Sequence, residues 1–138
     1  MVYILGCQPD KIDINDEYTQ GILTWYANDY QIIQKSEGDW FLYFDDKIVC
    51  QTCKLPILSQ IKEFPSISII TRFDSEIELR AFRQAYKLDN QIINLSGNSR
   101  FVLGIPFLFQ KEGKSLKSLI ILRADSLNEG NWLNSLKE

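Results

Sequence analysis

Trp40-Phe41-Leu42-Tyr43-Phe44-Asp45-Asp46-Lys47-Ile48-Val49-Cys50-Gln51-Thr52-Cys53-Lys54-Leu55-Pro56 is the stretch from which the fold can be read. Its first five residues are an unbroken apolar and aromatic run, the composition of a short strand buried at the centre of a sheet. Asp45-Asp46-Lys47 ends that run. Beyond Cys50, the apolar residues Ile57, Leu58, Ile61 and Phe64 recur at helical spacing. Pro56 is expected in the first turn, where a missing N–H breaks no hydrogen bond, and Pro65 closes the helix. Strand, loop and helix thus follow one another, and two cysteines separated by two residues fall where the helix begins.

Working outward, Ser66 to Phe73 is β-branched and alternating, which predicts a second strand. Ser75-Glu76-Ile77-Glu78 is a capping box opening a helix whose inner face would carry Ile77, Ala81, Ala85 and Leu88. Gln91 to Leu95 reads as a short strand, Ser96-Gly97-Asn98-Ser99 as a loop, and Phe107 to Gln110 as a strand following Gly104-Ile105-Pro106. Lys111-Glu112-Gly113-Lys114 is a hairpin turn, with Leu119 to Leu122 as the returning strand. A second capping box, Ser126-Leu127-Asn128-Glu129, opens a last helix with Trp132, Leu133 and Leu136 on one face. Upstream, residues 9–39 follow neither period cleanly. There the pattern predicts a helix around Asp16 to Ala27, a strand at Tyr30 to Gln34 and a turn at residues 36–39. The sum is an α/β fold, a central mixed sheet with helices covering both faces.

The totals restrict the function. A chain of 138 residues, 45% hydrophobic and 24% charged, fits one compact domain. The net charge of −3 and the scattered basic residues supply no footprint for nucleic acid. There is no histidine, which removes the commonest general base and argues against most hydrolase mechanisms. Three cysteines, Cys7, Cys50 and Cys53, cannot complete a four-cysteine zinc site, and without histidine no mixed site forms either, so no metal and no cofactor are expected.

A CxxC pair at the start of a helix has a redox reading with a physical cause. The unpaired backbone N–H groups and the positive end of the helix favour a thiolate on the first cysteine. Cys50 is therefore the candidate nucleophile and Cys53, one turn on, the resolving thiol. The alternative is a pair of buried cysteines acting as small apolar residues.

Phe41 to Phe44, the loop and Cys50-Gln51-Thr52-Cys53-Lys54-Leu55-Pro56 resemble the strand, CxxC and proline-bearing helix of thioredoxin-like proteins, particularly the TlpA-related thiol–disulfide oxidoreductases. Gly104-Ile105-Pro106 with the strand and turn that follow is similar to that family's cis-proline loop. The likeness runs from about Trp40 to the C-terminus. It implies a thioredoxin-like domain over residues 40–138, with residues 1–39 either an extension whose structure the pattern does not set or a part of that domain. It further implies that Pro106 is a cis proline beside the dithiol, that the backbone of Ile105 pairs with an extended partner segment, and that Asp45 or Asp46 accepts a proton from the resolving cysteine. Outside the resemblance, a proline is also ordinary at a strand start, and two loop aspartates are ordinary solvated groups. The chain departs from the family in having Val49 before the first cysteine and Gln51-Thr52 between the two, which leaves its redox poise open.

The expected partner is a protein disulfide or dithiol. Two alternatives are a thiol peroxidase on the same fold and a non-catalytic binding module. The peroxidase is disfavoured because Tyr43 and Lys47 stand where that family carries proline and threonine. No run of about 20 apolar residues spans a bilayer. Ile4-Leu5-Gly6-Cys7 resembles the end of a lipoprotein signal, though the apolar stretch is short. Were the true start further upstream, Cys7 would be a lipid attachment point, the sole membrane contact of a periplasmic or cell-envelope protein. Otherwise the segment is a short strand with a semi-buried cysteine, in a cytoplasmic protein.

Overall fold

The computed structural model describes residues 4–5, 8–9, 16–35, 38–95 and 105–122. Cys7, the expected loop Ser96-Gly97-Asn98-Ser99, Gly104 and the expected C-terminal helix from Ser126 lie outside the described residues. The described elements run β1 (Ile4–Leu5), β2 (Gln8–Pro9), α1 (Glu17–Gln34), β3 (Trp40–Tyr43), α2 (Gln51–Ile61), β4 (Ser68–Thr71), α3 (Glu76–Tyr86), β5 (Ile92–Asn94), β6 (Phe107–Glu112) and β7 (Ser115–Ile121). β1 and β2 pair antiparallel with each other, and the other five strands form one sheet in the order β5-β4-β3-β6-β7. β3, β4 and β5 are parallel, whereas β6 and β7 run antiparallel, which makes the sheet mixed. α2 and α3 are the crossovers that parallel neighbours require.

Alternating side chains divide the sheet's two faces between two cores. On one face Leu42, Ile69, Leu108 and Ile120 meet Cys53, Ile57, Leu58 and Ile61 of α2 and Phe82 of α3. On the other, Phe41, Tyr43, Ile70, Phe107 and Phe109 meet Ile22, Trp25, Tyr26 and Ile33 of α1. The second core is built on cross-strand aromatic pairs. Phe41 lies opposite Phe109 and Tyr43 opposite Phe107, stacked at centroid separations of 5.2 and 5.0 Å. Trp25 sets its ring edgewise against Tyr43, Phe107 and Phe109, an arrangement the ring quadrupoles favour.

Four expectations need correction. The strand proposed at Tyr30 to Gln34 is the continuation of α1, because Ile22, Trp25, Tyr26 and Ile33 keep one helical face against the sheet through to Gln34. Pro56 is the sixth residue of α2 and therefore lies inside the helix, past the first turn. Of the residues expected on the inner face of α3 only Leu88 is buried: Ile77 is 75% exposed and Ala81 and Ala85 face solvent, while Phe82 is buried with Leu79 and Tyr86 packed beside it. The larger apolar side chains outweigh the small ones, since the area removed from water scales with size. Finally, no cis peptide bond occurs among the described residues, so Ile105–Pro106 is trans rather than cis.

Polar side chains close the connections. Asp16 caps α1 by accepting from the backbone N–H and hydroxyl of Thr19 at 3.0 and 2.9 Å. At its other end Lys111 Nζ donates to the carbonyls of Ile33 and Gln34, a cation at a helix C-terminus. Ser75 caps α3 as its capping box predicts, accepting from Glu78 N–H at 3.2 Å. Asn90, fully buried, donates from Nδ2 to the carbonyls of Phe64 and Ile67 at 2.9 and 2.8 Å, fixing the passage from α2 to β4.

Two substitutions test which face of α3 is load-carrying. In urea unfolding, Phe82→Ala is expected to cost about 3–5 kcal/mol, and Ile77→Ala less than about 0.5 kcal/mol. Asn90→Ala, which strands buried carbonyls, should cost about 2–3 kcal/mol.

Candidate functional site

The central strand β3 delivers the chain to one end of the sheet. There Phe44 N–H still reaches the carbonyl of Ile70, after which the chain turns. Asp45 makes the turn: its carbonyl accepts from Ile48 and Val49 N–H at 3.1 Å each, and its Oδ1 accepts from Lys47 N–H at 3.1 Å. Val49 is buried in the α2 core while Cys50, the next residue, is exposed. Cys50 is the N-cap of α2, with φ −53° and ψ 132°, and its carbonyl accepts from Cys53 N–H at 2.9 Å. The helix thereby begins immediately behind the first sulfur.

Cys50 and Cys53 lie 3.1 Å apart, both as free thiols. Their surroundings differ. Cys50 Sγ sits 3.0 Å from Thr52 Oγ1. Hydrogen bonding from the Thr52 hydroxyl first, then from the Cys53 thiol and the Thr52 backbone N–H, lowers the Cys50 thiol to about 7. Burial, together with the hydrogen bond and charge of Cys50, pushes Cys53 up. One thiol is exposed and readily ionised; its neighbour is buried and keeps its proton.

The remaining sequence-derived residues are placed as follows. Asp46 pairs with Lys54 Nζ at 3.3 Å, and Asp45 is engaged in the turn already described. The influences on Cys53 come from burial, Cys50 and Thr52 rather than from either carboxylate. Pro106 is buried directly before β6, and because Phe107 pairs with Tyr43 it lies at the same end of the sheet as the loop leading to Cys50. Ile105 does not present free backbone groups: its N–H donates to the Tyr18 hydroxyl at 2.8 Å, and that hydroxyl donates to its carbonyl. Cys7 lies outside the described residues.

The sequence points to the Gln51-Thr52 pair as bearing on the redox poise without giving a direction; the direction comes from the Thr52 hydroxyl lying 3.0 Å from Cys50 Sγ, which no spacing rule shows. Two further contacts had no sequence signal. Lys47 bonds Asp74 at 2.7 Å and so ties the cysteine loop to the entry of α3, a contact 27 residues apart in the chain. Arg72 donates from Nε to the Tyr43 hydroxyl at 3.1 Å and from Nη2 to Asp29 at 3.2 Å, fastening α1 to this end of the sheet. Among the described residues, no group of three or more His, Cys, Asp or Glu side chains converges on a point where a metal ion would sit.

No protein-family model matches the chain, and no curated protein matches it.

The thiol geometry has a direct readout. Alkylation of the reduced protein by iodoacetamide proceeds through the thiolate. Its rate should therefore fall about tenfold per pH unit well below pH 7 and level off above about pH 8, with the midpoint near 7. Thr52→Val removes the hydroxyl and should move that midpoint upward, slowing modification at pH 7 several-fold. A midpoint unchanged by the substitution would show that the hydroxyl is not the main cause.

Proposed function

We propose that the chain is a thioredoxin-like thiol–disulfide oxidoreductase, akin to the TlpA-related group, in which Cys50 attacks and Cys53 resolves. The observation that carries this reading is the asymmetry of the pair: an exposed Cys50 thiol lowered to about 7 at a helix start, with a buried thiol 3.1 Å behind it. The sheet supports it as well. From β3 one connection leads through α2 to β4 on one side, while β6 enters on the other side from the far edge. Open α/β sheets hold their ligands outside the strand ends at such a divergence, and Cys50 stands just past the end of β3.

The chemistry follows from the two environments. The Cys50 thiolate attacks one sulfur of a partner disulfide; a mixed disulfide forms and the partner's other sulfur leaves as a thiolate. Sulfur bonding removes the negative charge from Cys50, and with it one of the causes that hold the Cys53 proton in place. Cys53 then gives its proton to solvent and attacks Cys50 Sγ. The Cys50–Cys53 disulfide forms, the second partner thiolate departs, and two electrons have passed to the partner. Run backwards, the same steps oxidise a partner dithiol.

The Cys50–Cys53 distance and the burial of Cys53 make separate demands on two variants. Cys50→Ser should abolish turnover of a protein disulfide and of a small one such as hydroxyethyl disulfide. Cys53→Ser should retain the first attack and accumulate a mixed disulfide, seen by mass spectrometry as a covalent adduct released by dithiothreitol. Equal activity of wild type and Cys50→Ser would sink the reading.

A further inference from the structure

The resolving step needs a thiolate where the structure disfavours one. Cys53 attacks only when ionised, yet it is buried, and both that burial and the neighbouring Cys50 hold its proton in place. The usual helpers are engaged elsewhere or missing. Asp46 is paired with Lys54, Asp45 is committed to the turn before Cys50, and the chain has no histidine. One side chain between the two cysteines can supply what they do not.

Thr52 belongs to the first turn of α2 and is exposed. Its Oγ1 sits 3.0 Å from Cys50 Sγ, and the two sulfurs are 3.1 Å apart. The same hydroxyl also hydrogen-bonds toward Cys53. Of the influences on that thiol from the described residues, only this one favours the thiolate. A hydroxyl carries a single proton and donates it to one sulfur at a time. The two thiolates of the reaction never call on it together: Cys50 bears the charge before the first attack and Cys53 before the second. In between, Cys50 is an uncharged divalent sulfur and only a weak acceptor, which releases the hydroxyl.

We propose that Thr52 is a catalytic residue in both thiol steps, its hydroxyl donating to the Cys50 thiolate before the first attack and, once Cys50 is held in the mixed disulfide, to the Cys53 thiolate that displaces the partner. The inference rests on the oxidoreductase reading for the order of the steps. In the second step Cys53 gives its proton to solvent and its sulfur bonds to Cys50 Sγ. The bond between Cys50 and the partner breaks, and the partner sulfur leaves as a thiolate with the electron pair of that bond. The Thr52 proton stays on its oxygen throughout; only its acceptor changes. Because Oγ1 lies beside both sulfurs, reorienting the O–H bond is enough and the helix need not move.

Two variants of the full-length chain separate this role from packing. Thr52→Val keeps the shape of the side chain and removes the hydroxyl, whereas Thr52→Ser keeps the hydroxyl. When reduced protein meets one equivalent of dithiobis(nitrobenzoate), the first thionitrobenzoate released reports attack by Cys50, and the second reports attack by Cys53 on the mixed disulfide. In stopped flow at pH 7, Thr52→Val is expected to slow the second release about three- to tenfold. That is the loss of one hydrogen bond to a charged sulfur, partly offset by the greater nucleophilicity of the more basic thiolate. Thr52→Ser should restore the rate. A second release equally fast in Thr52→Val and wild type, or a slowing that Thr52→Ser does not reverse, overturns the proposal. Titration tests the same point without turnover. With Cys50 blocked as its carboxamidomethyl thioether, the Cys53 Cβ resonance in carbon NMR should titrate about one pH unit higher in Thr52→Val than in wild type or Thr52→Ser. Coincident midpoints overturn the proposal as well. Both readouts use a reagent in place of a protein partner. If they respond as expected while Cys50→Ser turns over protein disulfides as fast as wild type, the handover of the hydroxyl stands and the oxidoreductase reading alone falls.

Discussion

The antiparallel ladder between β3 and β6 stops at Tyr43 and Phe107, and much of the molecule's chemistry depends on where it stops. Up to that rung the two strands satisfy each other's backbone groups and stack their aromatic rings. Past it the β3 chain has to leave, since Asp45 folds its carbonyl back onto Ile48 and Val49. That single departure buries Val49, exposes Cys50, starts α2 one residue later and strips Ile105 of a strand partner.

The dithiol inherits its asymmetry from this geometry. Cys53 lies on the α2 face turned to the sheet, in the same core as Phe44 and Ile57, while Cys50 precedes the first turn and is exposed. Burial disfavours the charged form of one thiol, and nearby donors favour it on the other. Of the charged groups near the site, Lys47 is held by Asp74 and Lys54 by Asp46. What acts on the Cys50 sulfur most strongly is a neutral hydroxyl, that of Thr52.

Helix α1 joins the site from the opposite face. Its apolar stripe packs on one face of the sheet, and its position is fastened at this end by Arg72 between Tyr43 and Asp29 and by Tyr18 on Ile105. Residues that read as an unpatterned extension therefore share both the packing and the local hydrogen bonding of the CxxC end. Their signal was weak because Asn28, Asp29 and Gly21 interrupt the apolar pattern, and because Ile32 and Ile33, adjacent and β-branched, read as a strand. Only one of the two isoleucines is buried; Ile32 faces solvent.

The chain's own composition and spacing determined the strand at Trp40, the helix beginning after Cys50, the strand containing Ile69, the Ser75 cap and the hairpin around Gly113, since each follows from nearest-neighbour chemistry: apolar runs, caps and turn residues. They also set the two-residue spacing that lets both sulfurs meet on one helical turn, and by omitting histidine they narrowed what those sulfurs can do. Tertiary structure decided which face of α3 is buried, since Phe82 competes with Ile77 only when a sheet is present to bury against. It decided that Lys47 meets Asp74, that Arg72 meets Asp29, and that Tyr18 closes on Ile105 across 87 residues. Those contacts depend on which strands lie side by side and where a ladder ends, and local sequence carries no record of either.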